Sequence, residues 1–428
     1  MKRSLLAVLA GTFTLRFSTG LTGAMLGLYL ADLPKHGGPV VDATLVGIFA
    51  ASFYLAELVL SPIFGILSDR LGHHRVMLYG PIFGGIAVVL TGLTTQLPIL
   101  GVTRLLEGAS TAASVPSILG FIALATAGNE LLRGQAAARF EGATLAGLGV
   151  GFIVAPKLFE TIGPTAFFVN AVIYGVSFLI YLLGVKDPAG EREAVAARHV
   201  GFSRYIELVG SAHVLLLAPT WIAVNASIGL WFSQSLFQFS QANPDFPDQV
   251  LMRGFDANEI TLAAIAIAVV FGVGLLYWGN RFKSMRRTTI ILYGILGGGV
   301  LVGAGIGINH SGGLPAFVPL GAGLFAAAGL FVLAGATPAA LGLLADISER
   351  FPGDRGAIMG LYSVFLAIGQ ITGSLIGGIA ADLRGIDGLL LATFGLLAVA
   401  LIPLQRLREQ EHFIDGVEST AYLGDAPQ

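Results

Sequence analysis

Five ionisable side chains stand inside stretches that are otherwise apolar: Arg16, Glu57, Arg104, Glu107 and Glu141. A charge in the middle of an apolar membrane helix costs roughly 2.5–3.5 kcal/mol on insertion scales, so such residues are functional candidates by default. Arg104 and Glu107 are three apart, which puts them on one helical face where they can pair. Desolvation disfavours an ionised carboxylate and a nearby guanidinium favours it. Between those influences a Glu can load and release a proton as water reaches it from alternate sides. Glu57 and Glu141 are the better candidates for that role, and Glu107 reads as held charged by Arg104. The competing reading makes all five static ion pairs that fix helix packing.

The second half of the chain lacks acids in mid-segment and offers amides and aromatics instead. Trp221, Asn225 and Ile228 share one helical face, Trp231, Gln234 and Gln238 another, and Gln370 stands among small residues. Uncharged polar groups interleaved with aromatics suit a cavity for an amphipathic ligand. The competing reading is aromatic packing with amides bonded between helices. Enzyme motifs are missing: there is no G-x-x-x-x-G-K-[ST] phosphate loop, no H-E-x-x-H and no G-x-S-x-G. ATP hydrolysis is therefore not expected, and the chain reads as no enzyme, with no cofactor and no metal. It has no Cys, which excludes disulfides and Cys-based nucleophiles or metal sites.

Membrane helices must position these residues. Of 428 residues, 55% are hydrophobic and 12% charged, against about 25% charged in soluble proteins. Mean hydropathy is +0.80. At about 20 residues per span the length fits roughly a dozen helices. Apolar runs place them at 5–31, 43–67, 76–95, 98–126, 135–158 and 164–184, then at 211–238, 258–279, 288–309, 315–344, 356–380 and 386–403. Lys2-Arg3 before an apolar stretch looks like a signal peptide, but no small-x-small cleavage site follows and the run resumes past Arg16 to Leu30. A retained first helix is the better reading. The 59 glycines suit close helix packing in lipid, and Pro116 and Pro338 are expected to kink the fourth and tenth helices.

The polar interval Val185–Tyr205 carries Lys186, Arg192, Arg198 and Arg204 and reads as a cytoplasmic linker. Most Lys and Arg fall on its side of the membrane, and only Lys35, Arg253 and Arg384 fall in loops on the other, so both termini are placed inside. The expected organisation is a six-helix bundle over 1–184, a linker over 185–210, a second bundle over 211–404 and a cytoplasmic tail over 405–428. The halves repeat: Arg133-Gly134 matches Arg355-Gly356 at an offset of 222, as Phe140 does Tyr362, Gly147 does Gly369, Gly151 does Gly373 and Gly163 does Gly385. Two bundles related by an axis along the membrane normal follow from such a repeat.

Between the second and third runs lies Gly65-Ile66-Leu67-Ser68-Asp69-Arg70-Leu71-Gly72-His73-His74-Arg75. It reads as a tight basic loop, with Gly65 and Gly72 allowing close approach and unusual dihedrals and Arg70 and Arg75 marking the cytoplasmic side. The pattern G-x-L-S-D-R-x-G-x-x-R resembles the signature loop between helices 2 and 3 of the major facilitator superfamily of transporters, departing from it at His73 and His74. Asn280-Arg281 through Arg286-Arg287 is a worn second copy. Arg104-Leu105-Leu106-Glu107-Gly108 resembles the R-x-x-Q-G motif of that family's drug antiporters, with Glu107 in the Gln position. Gly151 through Ala155-Pro156, preceded by Gly147, resembles their helix 5 motif, G-x-x-x-G-P-x-x-G-G, as far as the proline. Phe159 and Glu160 replace its terminal glycines and break the match, and Lys157 follows the proline.

The resemblance implies an all-α membrane protein of twelve transmembrane helices in two pseudo-symmetric six-helix bundles, with a central cavity opening alternately to each side. It implies that Asp69 and the loop arginines latch the inward ends when the cavity faces outward, that Arg104 takes part in proton coupling, and that Gly147, Gly151 and Pro156 help seal one side. The function read from this is proton-coupled efflux of amphipathic compounds or drugs. Two alternatives stand beside it: a proton symporter importing a sugar or organic acid, which Arg16 and Arg104 would suit, and a non-transporting receptor or scaffold. The expected partners are a small-molecule substrate, protons and the lipid bilayer, with no nucleic acid. A multi-pass monomer in a bacterial inner membrane is expected.

Overall fold

The computed structural model describes residues 2–126, 130–186, 212–283, 285–349 and 355–421. Most of the polar linker and residues 422–428 of the tail lie outside the described residues. α1 is Lys2–Asp32, α2 is Ala43–Leu71, and α3 joins His73–Met77 to Tyr79–Leu93. Then come α4 (Leu97–Ala125), α5 (Glu130–Ile162) and α6 (Ala166–Gly184). The second set is α7 (Ala212–Ser240), α8 (Ala257–Gly279), α9 (Arg287–Asn309) and α10, which joins Phe317–Leu333 to Ala336–Glu349. The last stretch, Arg355–Ala421, breaks at Arg384 and Gly385 into α11 (355–383) and α12 (386–421).

Lipid supplies no hydrogen bonds, so each span closes its backbone bonds within itself. Among the described residues, nine stretches are long and apolar enough to cross a membrane, and two of them, Ala138–Gly184 and Ser363–Glu409, each run through two helices. Side chains such as Val59, Ile63, Leu276 and Leu324 are exposed, as a helix facing hydrocarbon requires. The helices fall on the twelve apolar runs with small shifts at their ends. α12 continues as helix to Ala421, through residues that the sequence reading assigned to the tail. Of the two prolines expected to kink their helices, Pro116 lies inside α4 as continuous helix, while α10 is interrupted at Ala334–Gly335, just before Pro338.

Contacts divide the molecule into two compact units. The first holds α1–α6 together with Gly229–Ala268 and Ser374–Gly388. The second holds the remainder of α7 to α12. One end each of α7, α8 and α11 therefore packs with the first six helices.

Inside the first unit α1 and α5 meet backbone to backbone. A Cβ at Gly147 would stand 2.6 Å from the Phe13 carbonyl oxygen and 2.9 Å from the Arg16 Cβ, and one at Gly151 would stand 2.3 Å from the Phe17 carbonyl oxygen. α6 seats Tyr174 and Tyr181 against Gly84 and Gly11, and Asn170 donates to the Ser18 carbonyl at 3.0 Å and to Thr22 Oγ1 at 2.7 Å. In the second unit the same joint recurs between α7 and α11. A Cβ at Gly369 would meet the Ile222 oxygen at 2.8 Å and the Asn225 Cβ at 2.5 Å, and one at Gly373 would meet the Ala226 oxygen at 2.1 Å. The sequence repeat is thus a repeat of helix contacts, in which Asn225 occupies the place that Arg16 has on α1. Its ends match too: Gly163 and Gly385 both adopt positive φ, +57° and +59°.

Candidate functional site

Arg16, Glu57 and Glu141 come from α1, α2 and α5. The Arg16 charge acts on both carboxylates. Glu57 and Arg16 are half-buried and Glu141 is exposed. Among the described residues neither Glu57 nor Glu141 takes part in a direct ion pair, and the charge of Arg16 reaches each of them through space. Tyr54, one turn before Glu57, feels Glu57, Arg104 and Arg16 together.

The second pair is closed on itself. Arg104 Nη1 donates to Glu107 Oε2 in a direct ion pair, with the two side chains 8% and 3% exposed. The guanidinium also lies 5.0 Å from the centre of the Phe53 ring, a cation–π contact. Arg104 Nε and Glu107 Oε1 are buried without a hydrogen-bond partner. The pair sits beside Glu57 because α4 and α2 touch there: a Cβ at Gly108 would meet the Phe53 oxygen at 2.2 Å and the Glu57 nitrogen at 3.1 Å. Phe53 and Tyr54 escaped the sequence reading, although their spacing one turn from Glu57 is a signal that helical periodicity carries.

The α2–α3 loop turns at Gly72, whose φ of +99° lies in the region that glycine alone enters freely. Its N–H bonds the Ser68 carbonyl at 3.0 Å. Gly65 differs from the expectation: it is helical, and a Cβ there would stand 3.8 Å from Pro116, so the structure demands no glycine at that position. Asp69, Arg70 and Arg75 are exposed. His73 is buried, with Nδ1 3.1 Å from Ser68 Oγ and Nε2 3.9 Å from Asp69 Oδ1. Near the far end of α5, past buried Pro156, Lys157 and Glu160 pair at 2.6 Å.

The amides and aromatics of the second half divide between the two units. Trp221, Asn225 and Gln370 belong to the second unit, with Asn225 Nδ2 donating to the Trp221 carbonyl at 2.8 Å. Trp231, Gln234 and Gln238 belong to the first unit. There Gln234 Nε2 donates to the Ala43 carbonyl at 2.9 Å, and Gln238 Nε2 to Gln234 Oε1 at 3.5 Å.

Paired helix contacts repeated along the chain, charges buried between helices and a glycine-turned basic loop together define a multi-pass membrane transporter. The profile of the Major Facilitator Superfamily matches residues 8–251, and the chain belongs to that superfamily. It is a transporter of small molecules and not an enzyme. Multidrug resistance protein 1 of Bacillus subtilis (strain 168) is 25% identical over 350 residues, covering 80% of this chain and 82% of that protein. Quinolone resistance protein NorA of Staphylococcus aureus (strain MSSA476) is 21% identical over 389 residues, 90% of this chain and 91% of its own. Among solved structures, the nucleoside transporter NupG superposes with a TM-score of 0.69 at 14% identity, covering 95% of this chain and 98% of that one.

Proposed function

We propose that this protein exports amphipathic small molecules, drugs among them, across a bacterial inner membrane in exchange for protons. Both termini lie in the cytoplasm, and the monomer is the working unit. The observation that carries the reading is that Arg16 stands on the α1–α5 joint, its Cβ 2.9 Å from where a Cβ at Gly147 would lie, with its charge in reach of two carboxylates on different helices, Glu57 and Glu141. A carboxylate that shares its cation can be neutralised by a proton without leaving a bare charge behind, so Glu57 and Glu141 are the proton carriers. Arg104 and Glu107 already neutralise each other. That leaves little free positive charge for an anionic cargo and weighs against import of an organic acid. The names of the bacterial relatives support efflux as the direction.

Two six-helix bundles, 1–184 and 211–404, rock against each other in this reading, and the repeated α1–α5 and α7–α11 joints hold each bundle together. Trp221, Asn225 and Gln370 contact substrate, and Gly147, Gly151 and Pro156 keep α5 close to α1 as the bundles move. Proton and substrate must bias the same two-state equilibrium in opposite senses. The test is proton movement in proteoliposomes with an internal pH dye and a panel of lipophilic cations, sugars and organic anions. Proton flux opposite to substrate is expected for the lipophilic cations, and Glu57→Gln or Glu141→Gln should abolish it while leaving substrate binding measurable. Full coupling retained in both variants would overturn the carrier assignment, and flux in the same direction as substrate would overturn antiport.

A further inference from the structure

α2 carries a carboxylate docked at its start that does not belong to its own half of the chain. Backbone N–H groups in the first turn of a helix have no partner within the helix, and they form the positive end of its dipole. Asp42, the N-cap of α2, accepts from the Leu45 N–H at 2.7 Å. The two N–H groups before it are taken by Asp382, from the end of α11: Oδ1 accepts from Ala43 N and Oδ2 from Thr44 N, each at 2.8 Å. Thr44 Oγ1 donates to the same Oδ2. One carboxylate thus accepts three hydrogen bonds from the first turn of a helix distant in sequence.

The backbones beneath are matched to this contact. Ser374, Gly378 and Asp382 recur every fourth residue, so they line one face of α11. A Cβ at Gly47 of α2 would stand 2.3 Å from the Ser374 oxygen, and a Cβ at Gly378 would stand 2.7 Å from the Ala43 oxygen. Each helix therefore gives a glycine to the crossing, and Asp382 closes it one turn further on. From α7, Gln234 donates to the Ala43 carbonyl at 2.9 Å. The turn after Asp382 is itself held, because Gln249 Nε2 donates to the Arg384 carbonyl at 2.9 Å and Gln249 Oε1 accepts from Asp387 N at 3.3 Å.

We infer that Asp382 is a positioning residue for transport: its clasp on the α2 N-terminus holds the α1–α2 end of the molecule shut, and that end opens only when the clasp breaks. The inference rests on the alternating-access part of the proposed function and not on the cargo or the coupling ion. Charge-assisted hydrogen bonds are among the stronger polar contacts, but Asp382 is exposed to competing water, so the clasp can form and break repeatedly. Asp69, named for the opposite end by the resemblance, lies in the last turn of the same helix, so α2 has one such carboxylate near each end.

The absence of cysteine makes the test direct. Val40 and Leu383, 84% and 72% exposed, flank the contact, so spin labels on V40C/L383C report its separation in the purified full-length chain without any substrate. The parent is expected to show one short distance. Asp382→Ala should raise a longer-distance population by roughly tenfold, the scale set by loss of hydrogen bonds to a charged group. Thr44→Val should raise it less, and Asp382→Glu should largely restore the short distance. An unchanged distance distribution in Asp382→Ala, with the elution profile of the parent, would overturn the inference. If that variant does not fold, Asp382→Asn keeps the volume, loses the charge and carries the same criterion. Failure of drug-driven proton flux would sink the proposed cargo while leaving this readout intact.

Discussion

A buried ion pair is most exposed to the loss of one member. Glu107 and Arg104 are both buried and directly bonded, and Arg104 also rests on Phe53. Replacing Glu107 with Leu would leave the guanidinium desolvated without its counter-charge, which costs roughly 3–5 kcal/mol when the remaining partner stays ionised. We expect Glu107→Leu to lower the detergent melting temperature markedly and Arg104→Met/Glu107→Leu together to recover much of the loss. If the double variant melts as low as the single one, the pair is not the unit of stability here. This partnership was legible in the sequence, because a spacing of three on one helix dictates it. The reach of the Arg16 charge to both Glu57 and Glu141 was not, since no local rule tells how α1, α2 and α5 pack.

The glycines of α5 separate by what lies opposite them, and a mutation series can read that difference. A Cβ at Gly151 meets the Phe17 carbonyl oxygen at 2.3 Å, a backbone atom that cannot swing aside, whereas nothing lies within 4 Å of a Cβ at Gly149. Gly151→Val should therefore push α1 and α5 apart and cost about 1–3 kcal/mol or more, seen as a lower melting temperature and lost transport. Gly149→Val should behave as the parent, and the repeat predicts that Gly373→Val on α11 damages its own joint as Gly151→Val does. Equal damage from Gly149→Val would mean that the close α1–α5 contact does not set the outcome, since Val is no poorer a helix former than Gly. The α2–α3 turn offers a similar contrast. Gly72→Ala forces a Cβ into a left-handed φ of +99°, a strain of roughly 1–2 kcal/mol, while Gly65→Ala has room against Pro116 at 3.8 Å. Expression and melting temperature of the two variants should differ accordingly. Hydropathy located the helices well because length and apolar content define a span. The continuation of α12 and the interruption of α10 at Ala334–Gly335 depend on helix-forming polar residues and local packing, which hydropathy does not weigh.

At the scale of the whole molecule, the contacts cut across the division that a half-repeat suggests. Residues 229–268 and 374–388 pack with α1–α6, and the Asp382 clasp lies within that shared end. Nothing in the local sequence marks Asp382, because its partners are two backbone N–H groups and the Thr44 hydroxyl, on residues 339 and 338 positions away. The alternating-access reading then predicts opposition between two acids. Asp69, assigned by resemblance to hold the α2–α3 end, stabilises the state in which the α1–α2 end is open; Asp382 stabilises the state seen here. Asp69→Asn should deepen the short-distance population of V40C/L383C, and Asp382→Ala should deplete it. Because the two sites occupy opposite ends of α2 and share no partner, their free-energy effects should add, so Asp69→Asn/Asp382→Ala should return the ratio toward that of the parent. Transport in the double variant should exceed that of either single one, since turnover requires both states to be visited. A double variant that matches Asp382→Ala alone would mean that Asp69 has no part in the same equilibrium, and the two ends of α2 would then have to be gated independently.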